Sequence, residues 1–402
     1  MDGIPTDFSL TNRTPMTVLS ERPGLSLLWT SLLSLIPLLL LFGGCEGDYR
    51  PMAEGPEGEI TVVMDSSLWT SAPGEALREN VAPWVETLPI SERHFQLRHL
   101  ELDSERTYGQ IQDLKNVIIA APLSDSSNEA SFLRRRLSGE AEQAILDGQR
   151  AVVPKPNLWR RSQRIYYVSA ATPEDLAQTF RDQGSEMRRT FTDVTLQRME
   201  REMYEDERQL AVEDTLKKRH GFTLNVQSDF QLAVDTTTGD EGFVWLRRIL
   251  AQTRREFFVY YADDVSPDEI TPEWIYATRD SLTQRHLRGN VQGFVHIDYR
   301  RALETEQISF LDRYGFESRG LWYMVIPGEN SGEVQPVGGG GPFVNFTFYD
   351  QATDRVYMLD GSVFAPDFDK LSFVRHLEVM ARTFRTVDET EARDDRAVAA
   401  QE

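Results

Sequence analysis

The chain has 402 residues, with 64 acidic against 43 basic side chains, a net charge of −21, and 40% apolar and 10% aromatic residues. That apolar content is enough for packed cores of ordinary size and excludes a globally disordered chain. The acidic balance repels nucleic-acid phosphates and anionic headgroups, so no nucleic-acid partner is expected.

Residues 25–42 form the only long apolar run. It is followed by Gly43, Gly44 and Cys45, the only cysteine, and then by the polar stretch Glu46–Pro51. An apolar core, two small residues and a cysteine are the layout of a lipoprotein signal, with Met1 or Met16 as the start. The reading is a signal peptide over 1–44 and acylation of Cys45, which attaches the chain to a membrane. An uncleaved signal anchor is the alternative, because the run is long enough to span a bilayer. Either places the remainder outside the cytoplasm, in the cell envelope; the first makes it an outer-membrane lipoprotein facing the periplasm or the cell surface. With Cys45 acylated, no disulfide, thiolate ligand or thiol nucleophile remains.

Residues 45–58 are rich in Gly, Pro and Glu and read as a tether. Over 59–171, strand signals at 60–65, 94–102, 116–121, 150–153 and 164–169 alternate with helix signals at about 72–88, 107–114 and 128–147. That alternation predicts an α/β domain with a mixed or parallel sheet. Thr172-Pro173-Glu174-Asp175 is a helix start, and Lys217-Lys218-Arg219-His220 before Gly221 is a helix end. A long connecting helix is therefore expected over 172–221, with Gly184 as a point where it could split. Phe180, Met187, Phe191 and Val194 mark an apolar stripe, to dock on the second domain or to form a coiled-coil seam.

From Phe222 the period changes to strands at 222–226, 230–235, 242–246, 257–262, 293–299, 320–325, 343–349 and 355–364. Helices are expected at 271–287 and 368–384. This predicts an α+β domain over 222–385, an antiparallel sheet with helices on one face. The residues 386–402 read as a disordered acidic tail.

No established catalytic or cofactor motif is present, so no cofactor is expected. The six histidines (94, 99, 220, 286, 296 and 376) include no pair at a helical metal spacing, and no metal site is expected. Two groups are candidates for binding. Asp65-Ser66-Ser67 follows the first strand, where open α/β sheets collect ligands; a polar turn is the plainer use. Gly338–Gly341 before Pro342-Phe343 could lend N–H groups to an anion or allow close approach of a chain, while a hairpin loop explains them as well. The acids Asp263 and Asp264 after Tyr260-Tyr261 read as turn chemistry before a cation site.

Arg319-Gly-Leu-Trp322, Gly340-Gly-Pro-Phe-Val344, Asp360-Gly-Ser-Val-Phe-Ala-Pro366 and Leu377-Glu378 together resemble a Bacteroidota lipoprotein family catalogued as domain of unknown function 4837. Leu68-Trp69, Gly74-Glu-Ala-Leu77, Leu88-Pro89 and Asn116-Val-Ile-Ile119 extend the resemblance over most of 58–385. The chain departs in having glycine before Gly-Gly-Pro-Phe and an insertion at 327–337. The resemblance implies envelope localisation and fold kinship, transfers no catalytic residue, and adds Trp322, Gly340, Gly341 and Phe343 as binding candidates that are equally core residues. The expected role is a non-enzymatic binding or assembly protein with an envelope protein partner. The alternative is an envelope hydrolase using carboxylates such as Asp65 or Asp263.

Overall fold

A computed structural model of the protein describes residues 48–263, 265–287, 293–328 and 333–399. The apolar run, Cys45 and Asp264 lie outside the described residues. Two sheets organise the chain from Arg50 onward, which forms one compact unit. The fold is an α/β N-terminal part followed by an antiparallel sheet with helices, as the element pattern predicts.

The first sheet has the order β4-β1-β5-β7-β6, built from β1 (Glu59–Val63), β4 (Gln96–Leu100), β5 (Asn116–Pro122), β6 (Ala151–Pro156) and β7 (Arg164–Ala170). All neighbours are parallel except β6, which returns antiparallel to β7. The short strands β2 (Trp84–Val85) and β3 (Glu92–Arg93) pair antiparallel outside this sheet. Parallel strands covered on both faces read as unbroken apolar runs, and all seven residues of β5 are buried. One face carries α2 (Ala72–Asn80) and the first half of α6 (Pro173–Met203), through Leu77, Phe180, Met187 and Phe191. The other carries α3 (Glu105–Asp113), α4 (Asn128–Arg134) and α5 (Gly139–Leu146), through Ile111, Phe132 and Ile145. The single helix expected over 128–147 is thus two, because Ser138 caps a new start at the nitrogen of Ala141.

Helix α6 runs unbroken through Gly184. A Cβ there would lie 2.6 Å from that of Asn80, so this glycine permits a close crossing of α2 and α6. The break comes at Tyr204–Gln209, before α7 (Leu210–His220) and its left-handed cap Gly221. The apolar stripe is covered by the chain itself. Phe180, Met187 and Phe191 face the first sheet, while Leu196, Met199 and Met203 pack on Val379 of α9 (Leu371–Arg382). Phe180 and Phe191 are completely buried, so they offer no seam to a second copy.

The second sheet has eight strands, all paired antiparallel. Its order is β12 (Phe294–Ile297), β14 (Arg313–Pro327), β15 (Val334–Asp350), β16 (Arg355–Phe364), β11 (Arg254–Asp263), β10 (Glu241–Ile249) and β9 (Gln231–Thr238), with β13 (Glu304–Phe310) also on β14. Helices lie on both faces rather than one. Phe257, Val259 and Tyr261 point to α9, and Phe258, Tyr260 and Ala262 point to α8 (Pro272–His286). Period-two alternation here separates two buried faces, which is why these strands are apolar throughout. Strand β13, Glu-Thr-Glu-Gln-Ile-Ser-Phe, is largely exposed and carries no apolar signal for a sequence reading to find. The expected strand 222–226 shortens to β8 (Phe222–Thr223), which pairs with β17 (Arg385–Thr386) outside the main sheet.

Two terminal segments also differ from expectation. The tether is bonded to the fold from Met52 on: Ala53 N–H donates to Arg161 O at 3.0 Å, and Glu54 N–H to Asp113 O at 2.7 Å. The acidic tail is helical over α10 (Val387–Ala399), where Arg313 pairs with Glu389 at 2.7 Å.

Beneath α8 lies a fully buried ion pair. Arg279 Nε donates to Asp360 Oδ2 at 2.7 Å and its Nη2 to Oδ1 at 3.1 Å, and both residues have no exposed surface. Asn345 donates to the same carboxylate at 3.0 Å, and Phe343 supports the guanidinium with its ring centroid 3.9 Å away. Removing one partner of such a pair strands the other charge. Arg279→Ala is therefore expected to cost about 3–5 kcal/mol in urea unfolding, and Arg279→Met combined with Asp360→Leu should recover most of it. Equal loss in single and double variants would show that the pair itself is not what matters.

Candidate functional site

The carboxyl ends of β1 and β5 form the switch point of the first sheet, where an open α/β fold leaves a crevice. Here the chain fills it. Asp65 is the N-cap of the short helix α1 (Ser66–Trp69), accepting from Ser67 N–H at 2.8 Å. Glu101 accepts from Ser66 N–H at 2.7 Å, and Glu129 from Leu102 N–H at 2.6 Å. The donors that a ligand would need are occupied by internal carboxylates. Asp65 and Asp263 do not converge, since Asp263 sits at the end of β11 in an ion pair with Arg355.

Trp322, Gly340, Gly341 and Phe343 are brought together, all buried except Gly340, which is half-buried at the edge of the core. Trp322 and Phe343 are 5% and 2% exposed. Trp322 pairs with Gly341 and Tyr323 with Gly340 in the β14–β15 ladder, so the glycine run lies in a strand and not in a hairpin loop. A Cβ on Gly341 would stand 1.9 Å from the Val363 carbonyl oxygen, and one on Gly340 2.6 Å from that of Trp322. Gly338 and Gly339 have φ of 100° and 77°, which the local irregularity in the ladder requires.

A different place gathers the charged side chains. A cleft of about 380 Å³ opens between the segment Trp84–His94, helix α6, helix α9 and strands β13 and β14. Its inner wall carries Arg188 from α6, Arg319 from β14, and Arg375 and Glu378 from α9. Arg319 Nη2 lies 2.6 Å from Glu378 Oε1 and its Nε is bonded to Glu317. Burial opposes the charge of Arg319, but Glu378 and Glu317 outweigh it and hold the guanidinium more firmly protonated than usual. Burial likewise pushes the Glu378 carboxyl up, and Arg319 and then Arg375 bring it below its ordinary value.

Arg375 is 4% exposed, stacks over Phe95 with its guanidinium 4.8 Å from the ring centroid, and donates to the His94 carbonyl at 2.5 Å. Arg188 donates to the Asn80 carbonyl at 3.0 Å. Desolvation lowers the pKa of both. The cleft is held together by Glu92, whose carboxylate accepts from Lys370 N–H at 2.6 Å and Leu371 N–H at 3.0 Å, so a residue of the first lobe caps α9 of the second.

Motifs in the sequence point to none of these residues except Arg319 and Glu378, which belong to the stretches that carry the family resemblance. A signal for Arg375 does exist in the chain. Leu371, Val374, Arg375 and Glu378 share one helical face, so two charges fall on an otherwise apolar stripe. Among the described residues, no group of three His, Cys, Asp or Glu side chains could hold a metal ion.

Residues 209–383 match the family model described as Domain of unknown function (DUF4837), and residues 53–204 match Domain of unknown function (DUF8532). The resemblance expected over 58–385 therefore divides in two, and the division falls at the break between α6 and α7. No curated protein matches the chain. Among solved structures, the crystal structure of the Saccharomyces cerevisiae Ran-binding protein Mog1p is similar at 12% identity and a TM-score of 0.27, covering 42% of this chain and 90% of that one. That likeness is too slight to carry fold or function across.

Two measurements check this geometry. Gly341→Ala is expected to destabilise by about 1–3 kcal/mol or more, because backbone must move. Gly109→Ala, in α3 with open space around it, should be neutral or slightly stabilising. Comparable losses at both would refute the close-approach argument.

The second concerns pH. Burial, then Arg188 and Arg375, push the His94 imidazole from 6.5 down to about 4, and burial and Arg248 do the same to His376. Between these values the unfolded chain binds protons that the folded chain refuses. Stability therefore falls as pH drops from about 6.5 to about 4, by up to roughly 3 kcal/mol per histidine, and these groups add nothing below that. Urea midpoints across this range, compared with His94→Gln and His376→Gln, should show a shallower slope in each variant. Unchanged slopes would assign the acid sensitivity to carboxylates.

Proposed function

We propose that the chain is a lipid-anchored cell-envelope protein that binds a small ligand in the cleft between its two lobes. The observation that carries the reading is the cleft itself: the buried Arg375 and the partly buried Arg188 and Arg319 line a cavity of about 380 Å³, a size that takes a small organic molecule. The anchor rests on the sequence, where the apolar run ends in Gly43-Gly44-Cys45, as in the Bacteroidota lipoproteins the chain resembles. Acylation at Cys45 would hold the protein at the outer membrane, facing the periplasm or the cell surface. The candidate acids Asp65 and Asp263 are each engaged, one in a helix cap and one in an ion pair, which favours binding over carboxylate hydrolysis.

Mass spectrometry of the full chain extracted from its own membrane tests both parts. Under denaturing conditions the mass should start at Cys45 and include the acyl chains. Under native conditions it should carry an additional non-covalent mass, absent in Ile308→Trp, whose indole would fill the cleft. A denatured mass that retains residues 1–44, or identical native and denatured masses, would refute the respective part.

A further inference from the structure

We infer that the ligand of the inter-lobe cleft is a small organic oxyanion, a carboxylate or phosphate ester, whose head is taken by Arg188 and Arg375. The inference rests on the ligand-binding reading above and adds the ligand's chemistry. It begins with an imbalance. Two buried arginines have carboxylate partners, Arg198 with Glu57 at 2.8 Å and Arg279 with Asp360 at 2.7 Å, and the partly exposed Arg319 has Glu378 at 2.6 Å. Arg375, 4% exposed, has none within 4.0 Å among the described residues, and its hydrogen bond goes to a backbone carbonyl; buried Arg255 also has none, but it bonds His376 and does not line the cleft. Half-buried Arg188 is in the same position as Arg375.

Arg188 and Arg375 line the same cavity, and both act on the His94 ring, as does Arg319. Glu317 and Glu378 are taken up by Arg319, so neither Arg188 nor Arg375 has a carboxylate within 4.0 Å among the described residues. Glu378 acts on Arg375 across the wall but is bonded to Arg319, and a desolvated cation with no carboxylate bonded to it is costly. An oxyanion supplies what is missing, since the planar guanidinium fork matches carboxylate and phosphate oxygens. The acids that do line the opening, among them Glu304 and Glu306 on β13, are exposed, so water screens them. Part of the wall is apolar: Val85, Ile308, Phe346 and Leu371 offer a surface for the body of an organic anion rather than for a bare inorganic ion. Leu371 N–H, which could otherwise serve an anion from the helix end, is already taken by Glu92, leaving the arginines as the donors.

The test uses the full chain in neutral detergent and four probes of similar size: phenylacetate, phenyl phosphate, 2-phenylethanol and phenethylamine. Binding is read by ligand-observed NMR at millimolar concentration. At least one of the two anions should bind, with the stronger of the pair identifying carboxylate or phosphate as the head, and the alcohol and amine should bind much more weakly. Arg188→Gln should weaken the anion by about tenfold or more, and raising the salt should weaken it further. Arg375→Gln should do the same, and thermal unfolding shows whether that variant is folded; Arg188→Gln, being half exposed, decides the matter if it is not. Alcohol binding as tightly as the anions, or an unchanged affinity in Arg188→Gln, overturns the anion assignment and leaves ligand binding standing. Binding of none of the four probes to the folded chain overturns the ligand-binding reading and the anion assignment with it.

Discussion

Helix α9 has to satisfy three surfaces within twelve residues. Leu377 and Met380 pack on the second sheet, Val379 meets Leu196 and Met199 of α6, and Arg375 and Glu378 face the cleft. At 3.6 residues per turn such a helix has few positions to spare, and each is constrained by a different partner. The partners have adapted accordingly. Gly361 on β16 lacks a side chain where a Cβ would lie 2.6 Å from that of Leu377, so the helix settles close to the sheet. Glu92, from the far lobe, supplies the cap that α9 lacks locally, since Lys370 at its N-cap makes no side-chain bond of that kind. The joint between the lobes, the depth of the cleft and the arginine cluster all follow from where this helix is held.

The distribution of charge follows a second rule. The surface is acidic, which favours solubility, while several of the most buried charges are arginines. Guanidinium is more weakly hydrated than ammonium and presents five donors in a plane, so it loses less on burial and can be held by several acceptors at once. Arg198 shows the use: it donates to Glu57, Ser162 O, Asn116 and Thr195, tying α6 to the start of the chain's first strands. Arg319 lies between two glutamates. Arg375, in the wall of a cavity, differs in having no carboxylate bonded to it among the described residues.

Much of the architecture was legible because periodicity survives folding. Asn116–Ala121 is nearly continuously apolar and became the central strand of a sheet covered on both sides. Thr172-Pro173-Glu174-Asp175 begins a helix as its chemistry requires, with the Thr172 hydroxyl accepting from Asp175 N–H at 3.2 Å. Other features were not legible for definite reasons. Strand β13 is mostly exposed, so no hydrophobic pattern marks it. Gly184 was a plausible break by propensity, yet the contact with Asn80 gives it a packing role, a relation between residues more than a hundred apart. The glycine run looked like a loop because local composition does not reveal that Val363 O occupies the space beside Gly341.

By itself the sequence determined most of the element types and the order of an α/β part before an antiparallel part, since each depends on neighbours along the chain. The Asp65 turn was also legible as a polar turn, and its use as a cap is local. Only the tertiary structure decided that helices cover both faces of the second sheet, that α6 serves one lobe with its first half and the other with its second, and that Glu92, Arg188, Arg319 and Arg375 meet around one cavity. The reason is range. Hydrogen-bond caps and hydrophobic periods act over a few residues, whereas the pairing of charges and the shape of a cleft depend on which distant segments packing brings within a few ångströms.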